Sequence, residues 1–334
     1  MHFAMQLDYT APIADGPLRG REVATPEPGP GQLRIRVAGC GVCRSNLHMI
    51  EGDWPGLPAI APIVPGHEVT GIVDAVGADV EGFAIGDRVG VQPLWSTCEE
   101  CEYCVSGREQ YCLQRLITGE MVDGGYQEQM LAMAAHTYRV PEGLDLVEAA
   151  PLFCPGITAY GAIARLDLTP GSRVAIFGLG GVGHMAVQFA KLAGAEVTAV
   201  ARGRDHLDVA RELGADHLVD ASDAAALAAL EATMDAAVIF APSDEVAQRA
   251  LASVRRGGTV VLGVIASFGT ITFAEGKTII ESMLGNRAQM DEVLALAAAG
   301  KVRTVVDVFP LREAPEVLER LAAGGLRSRA VLRV

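Results

Sequence analysis

Through its first 150 residues the chain sets its apolar positions in short bursts. "QLRIRVAG", "EVTGIVDAVG", "GDRVGVQP" and "TYRVP" each alternate or run apolar for a few residues before Gly or Pro breaks them. Runs of this length predict the short strands of an irregular, β-rich unit. At about Pro151 the spacing changes. "ITAYGAIARL" has helical periodicity, "SRVAIFG" is a buried strand running into glycines, "HMAVQFAKLAG" is helical again, and "AEVTAVA" is a second buried strand. The alternation continues through "HLDVARELGA", "HLVD", "DAAVIF", "EVAQRALASV" and "GTVVLGV". It predicts a parallel sheet wrapped by helices. From "MDEVLALAAAG" onward come a helix, "TVVDVFPL", another helix and a final strand, "RAVLRV". By pattern alone this tail either extends the second unit or returns to the first.

A chain of 334 residues is long for one core, so two domains are expected. The formal net charge of -14 argues against nucleic acid or an anionic membrane surface as partner. The N-terminal "MHFAMQLDYTAPIADGP" lacks the basic start and apolar core of a signal peptide. No uncharged apolar run reaches the ~18 residues of a membrane span. Seven cysteines without an export signal favour metal binding or catalysis over a disulfide framework. The expectation is a cytoplasmic protein with no membrane partner.

Gly178-Leu179-Gly180-Gly181-Val182-Gly183 follows a predicted strand and opens a predicted helix. In that context G-x-G-x-x-G is a dinucleotide fingerprint, whose glycines let backbone N–H groups approach a pyrophosphate at the helix N-terminus. A carboxylate for the ribose hydroxyls of NAD is expected at the end of the next strand. That position is Ala201, followed by Arg202 and Arg204. Loss of the carboxylate removes repulsion against a 2′-phosphate, and a guanidinium grips phosphate as a fork. NADP(H) is therefore favoured, with NAD(H) possible if the two arginines are only solvated loop residues.

"TCEECEYCVSGREQYC" places Cys98, Cys101, Cys104 and Cys112 at C-x2-C-x2-C-x7-C. Four thiolates this close can close a tetrahedral shell around structural Zn²⁺, or hold an iron–sulfur cluster, and zinc fits the short lobe better. Cys40, Cys43, Cys154 and seven histidines remain for any second site.

In "PGHEVTGIVDAVGADV", Gly66, His67 and Glu68 are followed by Gly71, Gly77 and Val80. G-H-E-x2-G-x5-G-x2-V resembles the zinc signature of the medium-chain, zinc-dependent alcohol dehydrogenases. The cysteine lobe, "GLGGVG", "GDWP" after His48 and "APLFCPGITAY" around Cys154 extend the resemblance over nearly the whole chain, most like microbial members of similar length. The resemblance implies an α/β protein with a GroES-like β-rich catalytic domain (1–150 and 291–334, zinc lobe 95–113) and a Rossmann-fold coenzyme domain (151–290). It implies two zinc ions per chain. One is structural; the other is catalytic, held by Cys43, His67 and Cys154 with an open fourth position, and Glu68 visits the metal when the site is empty. It also implies a proton relay from Ser45 through the nicotinamide ribose to His48. Arg44 and Arg329 match pyrophosphate-binding positions, Thr158, Gly263 and Val264 match further coenzyme contacts, and Trp54 and Trp95 match substrate-pocket positions. Cys40 has no matching role and reads as a buried small thiol.

Asn46 departs from the pattern, since many family members carry Asp there, bonded to the outer nitrogen of the zinc-ligating histidine. Asn accepts the same bond without bringing a charge. The function expected is a zinc- and NADP(H)-dependent alcohol dehydrogenase or aldehyde reductase for small primary alcohols and aldehydes, a homodimer or homotetramer. Two alternatives stand beside it: a zinc-free quinone or enoyl reductase on the same fold, and a non-catalytic NADPH-binding redox sensor.

Overall fold

A computed structural model describes all 334 residues. The chain divides into two compact units, one of Met1–Cys154, Asn286–Ala298 and Thr304–Val334, the other of Pro155–Gly285 and Ala299–Arg303.

The first unit is built on a seven-stranded sheet. Strand Gln32–Gly41 is its hub, pairing antiparallel with Val69–Val76, Gln129–Met133 and Arg329–Arg333. Leu33, Ile35 and Val37 are buried while Arg34 and Arg36 point away, the period-2 pattern of a half-buried strand. The register with Val69–Val76 slips twice, at Arg34/Ile35 and at Val37/Gly39. Such bulges twist a strand and re-aim its end. Here the end that is re-aimed carries Cys40 and Cys43. The tail closes the sheet: Val306–Pro310 runs parallel to Arg329–Arg333, which sets Leu332 opposite Cys40. Of the two options that the pattern left open, the tail strands take the first unit.

The second unit is a six-stranded, wholly parallel sheet. Numbered along the chain, its strands His217–Asp220, Glu196–Ala201, Arg173–Phe177, Met234–Ile239, Val254–Leu262 and Thr278–Glu281 lie in the order 3-2-1-4-5-6. The order reverses between the first and fourth strands, and doubly wound sheets bind dinucleotides at that switch point. The central strand is buried from Val174 to Phe177, as its unbroken apolar run requires. No single helix in the chain is long and apolar enough to cross a membrane.

Candidate functional site

The backbone leaves strand Gln32–Gly41 and turns into helix Arg44–Glu51, with Cys43 in extended conformation at the N-cap. The helix ends at Gly52, whose left-handed backbone closes it. His67 and Glu68 lie just before strand Val69–Val76, and Cys154 ends the tight turn Ala150–Phe153. Four buried donors, Cys43, His67, Glu68 and Cys154, thereby come together with their ligand atoms within 4.8 Å of one another. Close packing makes this possible. A Cβ on Gly41 would stand 1.9 Å from Glu68 Oε2, and one on Gly66 would enter the Tyr126 ring.

The donor set suits a divalent cation. Thiolates ~2.3 Å from a shared tetrahedral centre stand about 3.8 Å apart; Cys43 Sγ and Cys154 Sγ are 3.9 Å apart. A hydrogen bond from Cys154 holds the Cys43 thiol well below its usual range against the pull of burial. The same bond, with burial, pushes Cys154 well above that range. Burial pulls the His67 imidazole down, but its contacts with Cys43 and Glu120 outweigh this and carry it up to about 10. Cys43 is thus favoured as a thiolate beside a protonated His67 and a protonated Cys154, and a divalent cation bound here would displace those two protons.

Glu68 is fully buried and faces Arg329, itself 7% exposed. Arg329 Nε donates to Glu68 Oε2 at 3.1 Å and a second guanidinium nitrogen donates to Oε1. Burial raises the Glu68 carboxyl, and the guanidinium works against that rise. The structure therefore seats Arg329, matched above to a pyrophosphate position, against Glu68. Cys40 is buried, and burial followed by the Glu68 charge drives its thiol up.

Ser45 Oγ lies 3.4 Å from His67 Nε2, at the edge of the donor cluster. His48, one turn on, is half-buried, hydrogen-bonds Asp53 Oδ2 through Nδ1 at 2.7 Å, and packs at a tilt of 31° against Trp54 with ring centroids 5.6 Å apart. Arg44 donates to the Leu321 carbonyl. Trp95 donates to the Leu131 carbonyl and lines a cavity of about 320 Å³ with His2, Gln6, Val64 and Asp123. No ring contact joins the two indoles.

The second cysteine cluster is half-exposed. Sγ–Sγ separations are 3.5 Å for Cys98–Cys112, 3.5 Å for Cys101–Cys104 and 3.8 Å for Cys98–Cys104, and all four sulfurs lie within 4.8 Å. Again these are close to the edges of a tetrahedron of thiolates, and no cysteine in the chain is in a disulfide. Backbone N–H groups of Glu100 and Cys101 hold Cys98 down to about 7, while burial and neighbouring thiols push Cys104 up to about 12. The lobe is pinned by Arg287, whose backbone N–H donates to Glu109 and whose side chain reaches Glu99 and the Ala135 carbonyl.

In the second unit, Gly178 follows the central strand with φ of 93°, and helix Gly181–Leu192 starts three residues later, with Val182 half-buried in its first turn. A Cβ on Gly183 would stand 2.0 Å from the Gly178 carbonyl oxygen, whereas one on Gly180 would meet nothing within 4 Å. Gly180 therefore keeps open the space at the helix N-terminus that a pyrophosphate needs. Two outcomes are expected from this contrast. Gly183→Ala forces backbone apart and should cost about 1–3 kcal/mol in melting and coenzyme affinity alike. Gly180→Ala should weaken dinucleotide binding with the melting temperature unmoved. Fluorescence titration beside thermal melts checks both. Ala201 ends its strand buried, and Arg202 and Arg204 flank Gly203, both exposed and neither in an ion pair with an acidic side chain. Thr158 is half-buried on helix Pro155–Ile163; Gly263 and Val264 follow strand Val254–Leu262, with Gly263 N–H on the Ile239 carbonyl.

Two residues at the site escaped the reading of the sequence. Asp53 lies in "GDWP", where its acid gave no sign of reaching His48. Glu120 lies in "TGEMVDGG", a stretch with no periodicity, yet its Oε1 is 3.6 Å from His67 Nδ1.

Family models match both parts of the chain: an alcohol dehydrogenase GroES-like domain over residues 29–142 and a zinc-binding dehydrogenase domain over 181–299. An alcohol dehydrogenase of Geobacillus stearothermophilus is 41% identical over 328 residues, 95% of this chain and 96% of that one. The alcohol dehydrogenase of the archaeon Aeropyrum pernix superposes with a TM-score of 0.92 at 33% identity, covering 99% of this chain and 100% of its own. A cinnamyl alcohol dehydrogenase of Sorghum bicolor superposes at 0.89 with 31% identity, over 99% and 97%. Neither the zinc-free reductase nor the redox sensor is favoured beside these matches and a full donor set. With a GroES-like unit bearing the donors, a Rossmann-type unit bearing the glycine turn, and relatives matched end to end, the chain belongs to the zinc-binding medium-chain alcohol dehydrogenases.

Proposed function

We propose that the protein interconverts small primary alcohols and aldehydes with NADP(H), using a catalytic zinc held by Cys43, His67 and Cys154 and a structural zinc held by Cys98, Cys101, Cys104 and Cys112. The observation that carries the reading is the buried convergence of two thiols and an imidazole, joined by Glu68, within 4.8 Å. Bound there, zinc supplies a Lewis acid for the substrate oxygen, and the nicotinamide supplies or accepts hydride. The chain's own residues provide the proton path. Ser45, 3.4 Å from His67 Nε2, is placed to hold the alcohol proton. His48 stands one turn along the same helix, and Asp53 fixes its Nδ1, leaving Nε2 for exchange. Trp54, packed against His48, gives that end of the site an apolar wall suited to slim or planar substrates.

Coenzyme choice rests on Ala201, Arg202 and Arg204. With no carboxylate closing the strand and two guanidinium groups beyond it, a 2′-phosphate would meet Arg202 and Arg204 before the nearest acid, Asp205. Steady-state rates with NADPH and NADH over an aldehyde panel that includes cinnamaldehyde test this. Wild type should prefer NADPH, and Arg202→Asp should cut kcat/KM for NADPH by at least ~10-fold, the scale of one charge-assisted bond lost and one repulsion gained. An unchanged preference would remove the cofactor argument. The same reading takes the enzyme as a cytoplasmic homodimer or homotetramer, which analytical ultracentrifugation checks for the assembly.

A further inference from the structure

The zinc reading leaves a question at the far side of His67. Its Nε2 faces Ser45, while its Nδ1 faces Asn46 and Glu120, neither of which belongs to the donor cluster, so Nδ1 is the outer nitrogen. An imidazole that gives a lone pair to a metal through Nε2 carries its proton on Nδ1, and that N–H needs an acceptor. Two groups reach it: Asn46 Nδ2 at 3.4 Å and Glu120 Oε1 at 3.6 Å. The amide presents a donor to a donor, and its own Oδ1 is buried without a partner. Turning the amide over would offer Oδ1 instead, yet in neither orientation does Asn46 bring a charge. The carboxylate of Glu120 accepts only, and it is buried beside the ring.

The fold brings Glu120 there deliberately. The 118–124 turn is pressed onto the backbone of Gly66, one residue before His67. A Cβ on Gly119 would stand 2.6 Å from Gly66 N, and one on Gly124 would stand 1.9 Å from Gly66 O. Gly125 N–H donates to Gly66 O at 2.9 Å, and Gly119 N–H closes the turn on the Val122 carbonyl. Outside the turn, Ala59 N–H holds the Glu120 carbonyl. Two glycines and three backbone bonds thus fix a carboxylate against the outer nitrogen of a buried imidazole.

We propose that Glu120 is the positioning residue for His67, the anion that holds the Nδ1–H tautomer and aims Nε2 at the metal, in the place where Asn46 offers no charge. The inference rests on the reading of His67 as a zinc ligand. Outer carboxylates of this kind raise ligand basicity and orient the ring, and their loss costs about 10–100-fold in metal affinity.

The test follows zinc rather than turnover. Wild type, Glu120→Gln, Asn46→Asp/Glu120→Gln and His67→Ala are dialysed against a graded chelator, with zinc per chain measured by atomic emission. Cobalt-loaded samples report the ligand field by their visible spectra. Glu120→Gln should release one of its two zinc ions at about 10–100-fold lower chelator and shift the cobalt bands. Asn46→Asp in the same chain should restore both, because a carboxylate returns to the same nitrogen from the other side. Wild-type retention and spectrum in Glu120→Gln overturn the proposal, and so does a loss that Asn46→Asp does not rescue. If Glu120→Gln does not accumulate as folded protein, a double variant that folds and keeps two zinc ions supports the proposal, and failure of both overturns it. His67→Ala separates the two levels. Two zinc ions retained there overturn the metal reading and this inference with it; one retained there, with Glu120→Gln unaltered, removes the Glu120 assignment alone.

Discussion

On the proposed function, a Cys154→Ala chain is expected to purify with one zinc ion against two for wild type, and to reduce aldehyde roughly 10³-fold more slowly or worse. The magnitude is that of several kcal/mol of Lewis-acid stabilisation at 1.36 kcal/mol per decade. Three features make the effect local and large. The cysteine lobe offers four other sulfurs, so an ion held there would stay. Cys43 loses the thiol 3.9 Å away that shares its proton and would share its metal. Glu68, the one donor in the cluster outside the three proposed ligands, is committed to Arg329 by two hydrogen bonds and cannot replace the lost thiolate without breaking them. Zinc per chain and kcat/KM, measured on one preparation, check the result. Two zinc ions with near-normal turnover would remove Cys154 from the ligand set.

The second unit was legible from the chain because its signals are local. The central strand is an unbroken apolar run from Val174 to Phe177, helix Arg204–Glu212 buries one apolar face, and the glycine turn falls between the first strand and its helix. The β-rich unit was legible only as texture. Its hub strand pairs with partners about 40, 100 and 290 residues away, and pairing at that range leaves no periodic trace. The same holds within the site. Cys43, His67 and Cys154 could be singled out because each lies in a stretch that resembles a known family, and the fold does bring them together. Glu120 and the far side of Arg329 carry no such stretch. An acid in "TGEM" reads as a solvated turn residue until two glycines 53 and 58 positions after Gly66 are seen to press that turn onto Gly66. An arginine in "LRSRAVL" reads as a surface or phosphate-binding residue until its strand is seen to lie beside the one that carries Cys40.

Arg329 is where that difference can be measured. Its guanidinium and the Glu68 carboxylate are both withdrawn from water and joined as a fork, with Nε on Oε2 at 3.1 Å. A buried pair of this kind adds little over apolar residues of the same volume, but removing one partner leaves a charge with neither water nor a counter-ion. Arg329→Met is therefore expected to destabilise the first unit by about 3–5 kcal/mol. The double variant Glu68→Gln/Arg329→Met should recover most of that loss, because nothing charged is left orphaned. The denaturant midpoint of that unit's transition, followed by hydrogen exchange in strand Arg329–Arg333, reads both. If Arg329 instead served the coenzyme pyrophosphate, as the resemblance implies, the single variant would raise KM for the coenzyme with the midpoint unmoved, and Glu68→Gln would rescue nothing. The geometry favours the first outcome: two of the guanidinium's hydrogen bonds are already made, both to the Glu68 carboxylate.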